Sequence, residues 1–243
     1  MAFLRRHTHL FFLSLGFLTR LAPARHATDK DMAASCLYYP LVGVVLGILL
    51  LLPVMALGSP WVQAWGYLAL SIWLTRSLHQ DGLADLLDAL GSGKTGERFQ
   101  AVLKDSRIGA FGVVGLFVFL SGQLVCVASC LEKGLLAPLL FAPVFARCLP
   151  VLLAIVAQPS PSVGLGKLLS NAPLPQACLL AITILICGGI LLLPFASFVV
   201  SLIMAMALLC FFTVKAGKHG GYNGDYLGAL ILCGELAVLF SVA

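Results

Sequence analysis

The sequence predicts an all-α, polytopic membrane protein with about seven transmembrane helices and an N-terminal interfacial helix. Three observations predict it. First, 60% of the 243 residues are hydrophobic, and the mean hydropathy is +1.04. Second, only 10% are charged, against about 25% in a soluble domain, so there is too little polar surface to cover a globule in water. Third, the runs Met32–Thr75, Ile108–Leu131 and Leu168–Val214 carry no formal charge. One crossing takes roughly 20 residues, so the first and last runs each hold two crossings and the middle one holds one. The same composition excludes a disordered chain and a nucleic-acid partner; the partner it implies is the lipid bilayer.

The N-terminus has the outline of a signal peptide, with Arg5 and Arg6 before the apolar run Leu10–Leu18 and small residues at Ala22–Ala24. Arg20 interrupts that run, so residues 3–21 read as a helix in the membrane interface, too short to span. Residues 1–38 form the N-terminal segment of one integral membrane domain covering 1–243. Crossings follow at 39–57, 61–78, 108–131, 135–157, 176–194, 196–214 and 226–242. Gly58-Ser59-Pro60 breaks the first pair, Glu132-Lys133-Gly134 the third from the fourth, and Pro194 the fifth from the sixth. Pro138, Pro143 and Pro150 fall in the fourth, which is predicted to be kinked. The eight cysteines show no CxxC and no Cys/His ligand spacing. They read as small apolar residues, with neither disulfides nor zinc.

Basic residues orient the chain. With a cytoplasmic N-terminus, Arg5, Arg6, Arg20, Arg25 and Lys30 lie inside. So do Arg76, Lys94, Arg98, Lys104, Arg107, Lys167, Lys215 and Lys218. Lys133 alone lies outside, and Arg147 falls within a crossing. The net charge of +5 is therefore a topology signal.

A carboxylate near lipid is costly, so each of the ten acids asks for a reason. Asp29, Asp31, Glu97 and Glu132 read as solvated charges. Asp81, Asp85 and Asp88 stand at i, i+4 and i+7, within about 60° of one another on a helix. They head a segment, 79–107, expected as a cytoplasmic loop. Like charges stacked this way repel, which calls for a cation; Mg²⁺ is the simplest choice at a phosphate site. The competing reading is a solvated helix end whose acids pair with Arg76, Lys104 or Arg107. The turn Gly91-Ser92-Gly93-Lys94-Thr95-Gly96 contains Gly-Lys-Thr but lacks the P-loop's first glycine and its strand, so a P-loop is rejected.

Asp105-Ser106-Arg107 precedes the third crossing. Asp105 and Ser106 read either as its cap or, for Asp105, as a fourth ligand or general base, with Arg107 gripping a phosphate. His219-Gly220-Gly221-Tyr222-Asn223-Gly224-Asp225 reads as a hinge or as a glycine-rich anion site, with Asp225 capping the last crossing or completing the metal site. Arg147 and Glu235 each lie about ten residues into a crossing, about 15 Å deep at 1.5 Å per residue. Pairing lowers the cost of burying both, so a salt bridge is predicted, one that also lines the substrate cavity.

These motifs resemble the cobalamin-5′-phosphate synthase (adenosylcobinamide-GDP ribazoletransferase) family over nearly the whole chain. The resemblance is carried by Phe17-Leu18-Thr19-Arg20-Leu21, Tyr39-Pro40-Leu41-Val42-Gly43 with Gly47, and His79-Gln80-Asp81-Gly82-Leu83-Ala84-Asp85 with Asp88. It continues through Asp105-Ser106-Arg107-Ile108-Gly109 with Gly112, Gly164-Leu165-Gly166, and Gly220-Gly221-Tyr222-Asn223-Gly224-Asp225 with Gly228, Gly234 and Glu235. The family usually has Leu where Gln80 stands, Gly where Ala89 stands, and often His where Phe111 stands.

The resemblance implies Mg²⁺-dependent joining of adenosylcobinamide-GDP to α-ribazole or its 5′-phosphate, with release of GMP, at the bacterial inner membrane. On that basis Asp81, Asp85, Asp88 and Asp105 are expected to hold Mg²⁺ on the pyrophosphate, and the ribazole 5′-hydroxyl to attack. Asp105 is the expected base, with Asp88 and Arg107 in the catalytic set. Arg20, Lys94, Arg107 and the Gly220, Gly221, Asn223 and Asp225 loop are expected to hold substrate. The Asp85-x2-Asp88 spacing is also similar to CDP-alcohol phosphotransferases, without their fuller motif. A cation-coupled transporter would place acids at midplane on repeated broken helices; only Glu235 is that deep. The sequence leaves the oligomeric state, a homo-oligomer included, open.

Overall fold

A computed structural model describes residues 1–23, 26–161 and 164–243. Ala24 and Arg25, which entered the signal-peptide and orientation readings, lie outside the described residues.

The chain is helical throughout. In order come α1 (Ala2–Leu18), α2 (Asp29–Ser35), a 3-10 turn (Cys36–Tyr38), α3 (Tyr39–Val54), α4 (Pro60–Thr75) and α5 (Leu78–Gly91). Then follow α6 (Gly96–Leu103), α7 (Ala110–Glu132), α8 (Leu136–Val156), α9 (Leu165–Ser170), α10 (Leu174–Leu192), α11 (Phe195–Lys218) and α12 (Gly224–Val242). Among the described residues six stretches are long and apolar enough to cross a membrane: Asp29–Val54, α7, α8, α10, α11 and α12. The protein is thus an all-α, multi-pass membrane protein. Its surface agrees: Phe117, Leu191, Phe195 and Met206 are all more than two-thirds exposed, a pattern that only lipid makes tolerable on α7, α10 and α11. The cysteines form no disulfide.

The expected second crossing, 61–78, takes a different form. Its helix stops at Thr75, and the chain turns through two consecutive left-handed residues, Arg76 (φ 58°) and Ser77 (φ 57°), before α5 begins. The two halves divide α7 between them: α4 packs beside Phe117–Leu124, and α5 covers Gly109–Gly115. Helix α5 is therefore packed at one mouth of the bundle, where a loop was expected. Two left-handed L residues cost roughly 1 kcal/mol each. The turn is held by Ser77 N–H on the Ile72 carbonyl and by Arg76, which donates to the Gly16 and Phe17 carbonyls at the end of α1. Arg76 thus serves a helix C-terminus and not the acids. Ser77→Gly is expected to raise stability by about 1 kcal/mol, read as a higher unfolding temperature in detergent.

Helices α8 and α12 form the centre. On α3, Gly43 and Gly47 sit one turn apart, and a Cβ on either would meet the α8 backbone at 2.6 Å or less. That closeness is what the Gly43-x3-Gly47 spacing provides. Helix α8 continues through Pro143 and Pro150. Pro143 lacks the amide that would bond the Leu139 carbonyl, and the Tyr67 hydroxyl donates to that carbonyl instead, at 2.8 Å. The predicted deep pair forms: Arg147 Nη1 lies 2.6 Å from Glu235 Oε1, with side chains 1% and 6% exposed. Gln123 donates to the other Glu235 oxygen at 3.3 Å.

Candidate active site

Three helices bring the acids to the mouth of the bundle. Helix α5 crosses α12 where Gly82 meets Asp225; a Cβ on Gly82 would lie 2.9 Å from the Asp225 Cα. One turn further, Gly228 faces His79. The absence of side chains at both glycines lets the two backbones touch, and this sets Asp225 beside the acidic face of α5.

Burial pushes the Asp85 carboxyl up to about 6, and the charges of Asp81, Asp225 and Asp88 push the same way. Neither ion pair found among the described residues involves these acids; they are Arg107–Asp105 and Arg147–Glu235. The site therefore holds surplus negative charge. Two hard-oxygen donors one turn apart, Asp81 and Asp85, fit a small divalent cation. Among the described residues no three His, Cys, Asp or Glu side chains gather into a closed ligand set. Magnesium commonly takes one or two carboxylates and completes its sphere with water and substrate phosphates, so this donor set suits it.

The other expected ligands stand elsewhere. Asp88 turns away from Asp81: its two oxygens accept from Gly109 N–H at 2.7 Å and Gly112 N–H at 2.8 Å. It satisfies orphan amides at the start of α7, the capping task that the sequence had offered to Asp105 and Ser106. Gly109 and Gly112 leave room for it, since a Cβ on either would lie within 2.5 Å of an Asp88 oxygen. Asp105 is bound by Arg107 through two bonds of 2.8 and 2.9 Å. Hydrogen bonds from Arg107 hold Asp105 down to about 2, which makes it a poor base. The pair is exposed, with Arg107 occupied by Asp105 and not by an anion. Lys94 is exposed in the α5–α6 turn, where Gly93 and Gly96 take positive φ. Arg20 lies over Trp73, 4.3 Å from the ring centre.

The glycine-rich loop has a structural task that the sequence did not reveal. Gly221 N–H bonds the Ala216 carbonyl to end α11, and Tyr222 N–H bonds Gln158. Ser160 N–H donates to the Tyr222 carbonyl, closing a short parallel bridge between the two loops. Gly221 (φ 100°) packs against Pro159, where a Cβ would lie at 2.5 Å. The Gly221 and Tyr222 amides are thus committed to carbonyls, while Gly220, Asn223 and Gly224 line the neighbouring cavities. Asn223 caps α12 by accepting from Tyr226 N–H, and its amide donates to Asp225 at 2.8 Å. On the far side, Phe99 of α6 stacks on His219 at 3.8 Å, and Gln100 donates to the His219 carbonyl.

Two cavities meet at Asp225, and a third adjoins the second of them. An apolar one of about 150 Å³ is lined in part by His79, Asp81, Asp225 and Ile231. A polar one of about 460 Å³ shares Leu165, Gly224 and Asp225 with it and adds Lys104, Lys167 and Asn223. A third, of about 680 Å³, shares Lys104 and Ser160 with the polar cavity and reaches Lys218 and Gly220. Neither Arg147 nor Glu235 lines any of them. That pair is a strut among α7, α8 and α12, and these three cavities do not reach it. Lys104, Lys167 and His79 went unselected in the sequence; no period or motif marks a lysine on a short helix as facing a cavity.

Fold and site together define a multi-pass membrane protein with an acidic, phosphate-suited site at one mouth of its helix bundle. A family model described as cobalamin-5-phosphate synthase matches residues 10–243, and the chain belongs to that family. The chain is 44% identical to an adenosylcobinamide-GDP ribazoletransferase of Nitratidesulfovibrio vulgaris (strain DSM 19637 / Miyazaki F), over 93% of this chain and 92% of the relative. It is 42% identical to the protein of that name from N. vulgaris strain DP4, over 97% of each. It is 34% identical to the one from Brevibacillus brevis, over 94% and 95%. It is accordingly an enzyme, a transferase of cobalamin biosynthesis. No solved structure matches at a significant level.

Proposed function

We propose that the protein joins adenosylcobinamide-GDP to α-ribazole or α-ribazole 5′-phosphate, releasing GMP, with Mg²⁺ at Asp81 and Asp85 and with its site facing the cytoplasm of a bacterial inner membrane. The observation that carries this reading is the meeting of α5 and α12 at Gly82. It sets the uncompensated carboxylates of Asp81 and Asp85 beside Asp225, which borders one apolar cavity and one lysine-lined cavity. The name of the relatives supplies the substrates, which the pair of cavities suits. The face follows from the basic residues, since Lys104, Lys167 and Lys218 all border these cavities.

The chemistry is phosphoryl transfer from a pyrophosphate to an alcohol. A ribose hydroxyl attacks the phosphorus that bears the cobinamide arm; the bond from that phosphorus to the bridging oxygen breaks, and GMP leaves with the oxygen. An acceptor phosphorylated at 5′ has no free 5′-hydroxyl, so the attacking group is a ring hydroxyl of the ribose, in place of the 5′-hydroxyl first expected. A bound Mg²⁺ would supply charge neutralisation on the pyrophosphate. Lys104 and Lys167 hold phosphate oxygens as point charges. Asp225, fixed by Asn223 where the two cavities meet, takes the hydroxyl proton in place of Asp105.

The raised Asp85 carboxyl fixes a pH dependence. Ionised Asp85 is the cation-binding form, and its proton leaves near pH 6. Without the cation, ionisation destabilises the fold, because the folded-state value lies above the ordinary carboxyl value of 3.8. Mg²⁺ affinity is therefore expected to weaken by about tenfold per pH unit below 6 and to level off above it. Titrating activity against Mg²⁺ between pH 5 and 8 checks this; an apparent affinity independent of pH removes Asp85 from the cation site. The function itself is tested by supplying both substrates to purified protein and identifying the corrinoid product and GMP in equal amounts.

A further inference from the structure

We propose that the 150 Å³ apolar cavity seats the planar nitrogenous base of the ribazole acceptor, with His79 hydrogen-bonded to a ring nitrogen of that base. The inference rests on the transferase reading above and names the part of the substrate that this cavity receives.

Size comes first. An engineered apolar cavity of about 150 Å³ takes up benzene, so this volume suits a compact aromatic ring system and excludes anything as large as a corrin. Next comes the lining. Phe17 and Leu18 of α1, Tyr39 of α3, Pro150 of α8 and Ile231 of α12 give it apolar walls from four helices. Such walls favour a ring face and offer nothing to a phosphate or a sugar.

The third observation is His79. It is 2% exposed and lines the cavity, and its Nε2 is buried without a hydrogen-bond partner. A buried polar nitrogen left unmatched costs roughly 1–3 kcal/mol, so an unmatched one beside an empty volume points to a ligand that matches it. A neutral imidazole offers one N–H donor and one acceptor, which suits an azole or azine nitrogen. An acyl chain would fill the volume and leave the nitrogen unmatched.

Position is the last argument. Asp81 and Asp225 stand on the rim, and Asp225, Gly224 and Leu165 are shared with the cavity that holds Lys104 and Lys167. A molecule made of an aromatic base, a ribose and a phosphate lies across this border in one way. The base enters beside His79, the ribose hydroxyls meet Asp225, and the phosphate faces the lysines. The cavity then selects the acceptor by the size of its base, while the acids perform the transfer.

The test uses the full chain in detergent, with benzimidazole as the probe. Free benzimidazole is expected to inhibit the wild-type enzyme competitively against α-ribazole and non-competitively against the corrinoid substrate. Ile231→Trp, which fills the volume, and His79→Phe, which removes the hydrogen bond, are each expected to raise KM for α-ribazole about tenfold. In both, kcat and the KM for the corrinoid substrate should stay within about twofold. Inhibition competitive against the corrinoid, or an unchanged KM for α-ribazole in folded Ile231→Trp, overturns the proposal while leaving the transferase reading intact. A wild-type enzyme that ignores α-ribazole overturns the reading itself. In that case, direct benzimidazole binding, abolished in Ile231→Trp, still decides what the cavity holds; saturable co-purification of lipid there, unaffected by benzimidazole, decides against it.

Discussion

Asp85→Asn lowers product formation by about 10³-fold or more while the protein stays folded; that is the expected result of removing one cation ligand worth several kcal/mol of charge stabilisation. Folding survives because Asp85 makes no side-chain hydrogen bond or ion pair among the described residues, and its burial among like charges opposes the native state. Asn removes that repulsion, so the variant unfolds at or above the wild-type temperature. The neighbouring acids discriminate. Asp88→Asn weakens the start of α7 by about 1–2 kcal/mol, a capping loss, and costs activity mainly through stability. Asp105→Asn frees Arg107 at the surface and changes the rate by less than about tenfold, since Asp105 is exposed and already held by Arg107. Activity assays and thermal unfolding on the three purified variants check this ordering; equal losses in Asp85→Asn and Asp105→Asn would contradict it.

The largest effect on stability lies far from the acids. Arg147→Met alone is expected to cost about 3–5 kcal/mol, because Glu235 is left as a buried charge whose main partner is gone. Glu235→Leu alone costs a similar amount for the opposite reason, leaving a guanidinium among apolar neighbours on α8. The double variant Arg147→Met with Glu235→Leu recovers most of the loss, since two apolar side chains of similar volume need no partner. Unfolding in detergent measures all three. Additive losses in the double variant would show that the two side chains act separately and that the 2.6 Å contact carries no coupling.

This pair was legible in the sequence for a simple reason. A charge deep in an apolar run must find its opposite, and the only two candidates stood at equal depth. The acidic face of α5 was legible for another reason: a helical period places Asp81, Asp85 and Asp88 on one side whatever surrounds them. The period does not say which neighbour each acid meets. Asp88 goes to the amides of α7, and Asp225 takes its place beside Asp85, because of glycines on the partner helices. Gly82 and Gly228 are the written trace of the backbone approach between α5 and α12, and Gly109 and Gly112 of the space that the Asp88 carboxylate fills.

The break at Arg76–Ser77 left no such trace. Both residues take left-handed backbone without glycine or asparagine, so the acidic helical face read as the continuation of the second crossing into its loop, when α5 is a separate helix against α7 and α12. The glycine-rich loop misled in the opposite direction. Its positive-φ residues end α11 and bring it against Pro159, and two of its amides, those of Gly221 and Tyr222, are spent on carbonyls. The lysines that line the polar cavity come from α6 and α9, two short helices docked by Phe99 on His219 and by Gly166 against Tyr222. Tertiary contacts of that kind have no period in the chain.

The measurement that bears most directly on the central claim is GMP release from adenosylcobinamide-GDP by the purified protein, followed with and without α-ribazole and with and without Mg²⁺. Release is expected only when both are present, in one-to-one ratio with the joined corrinoid product, and is expected to be lost in Asp81→Asn and Asp85→Asn. Release that continues without α-ribazole, or that persists in both variants at saturating Mg²⁺, would contradict the claim.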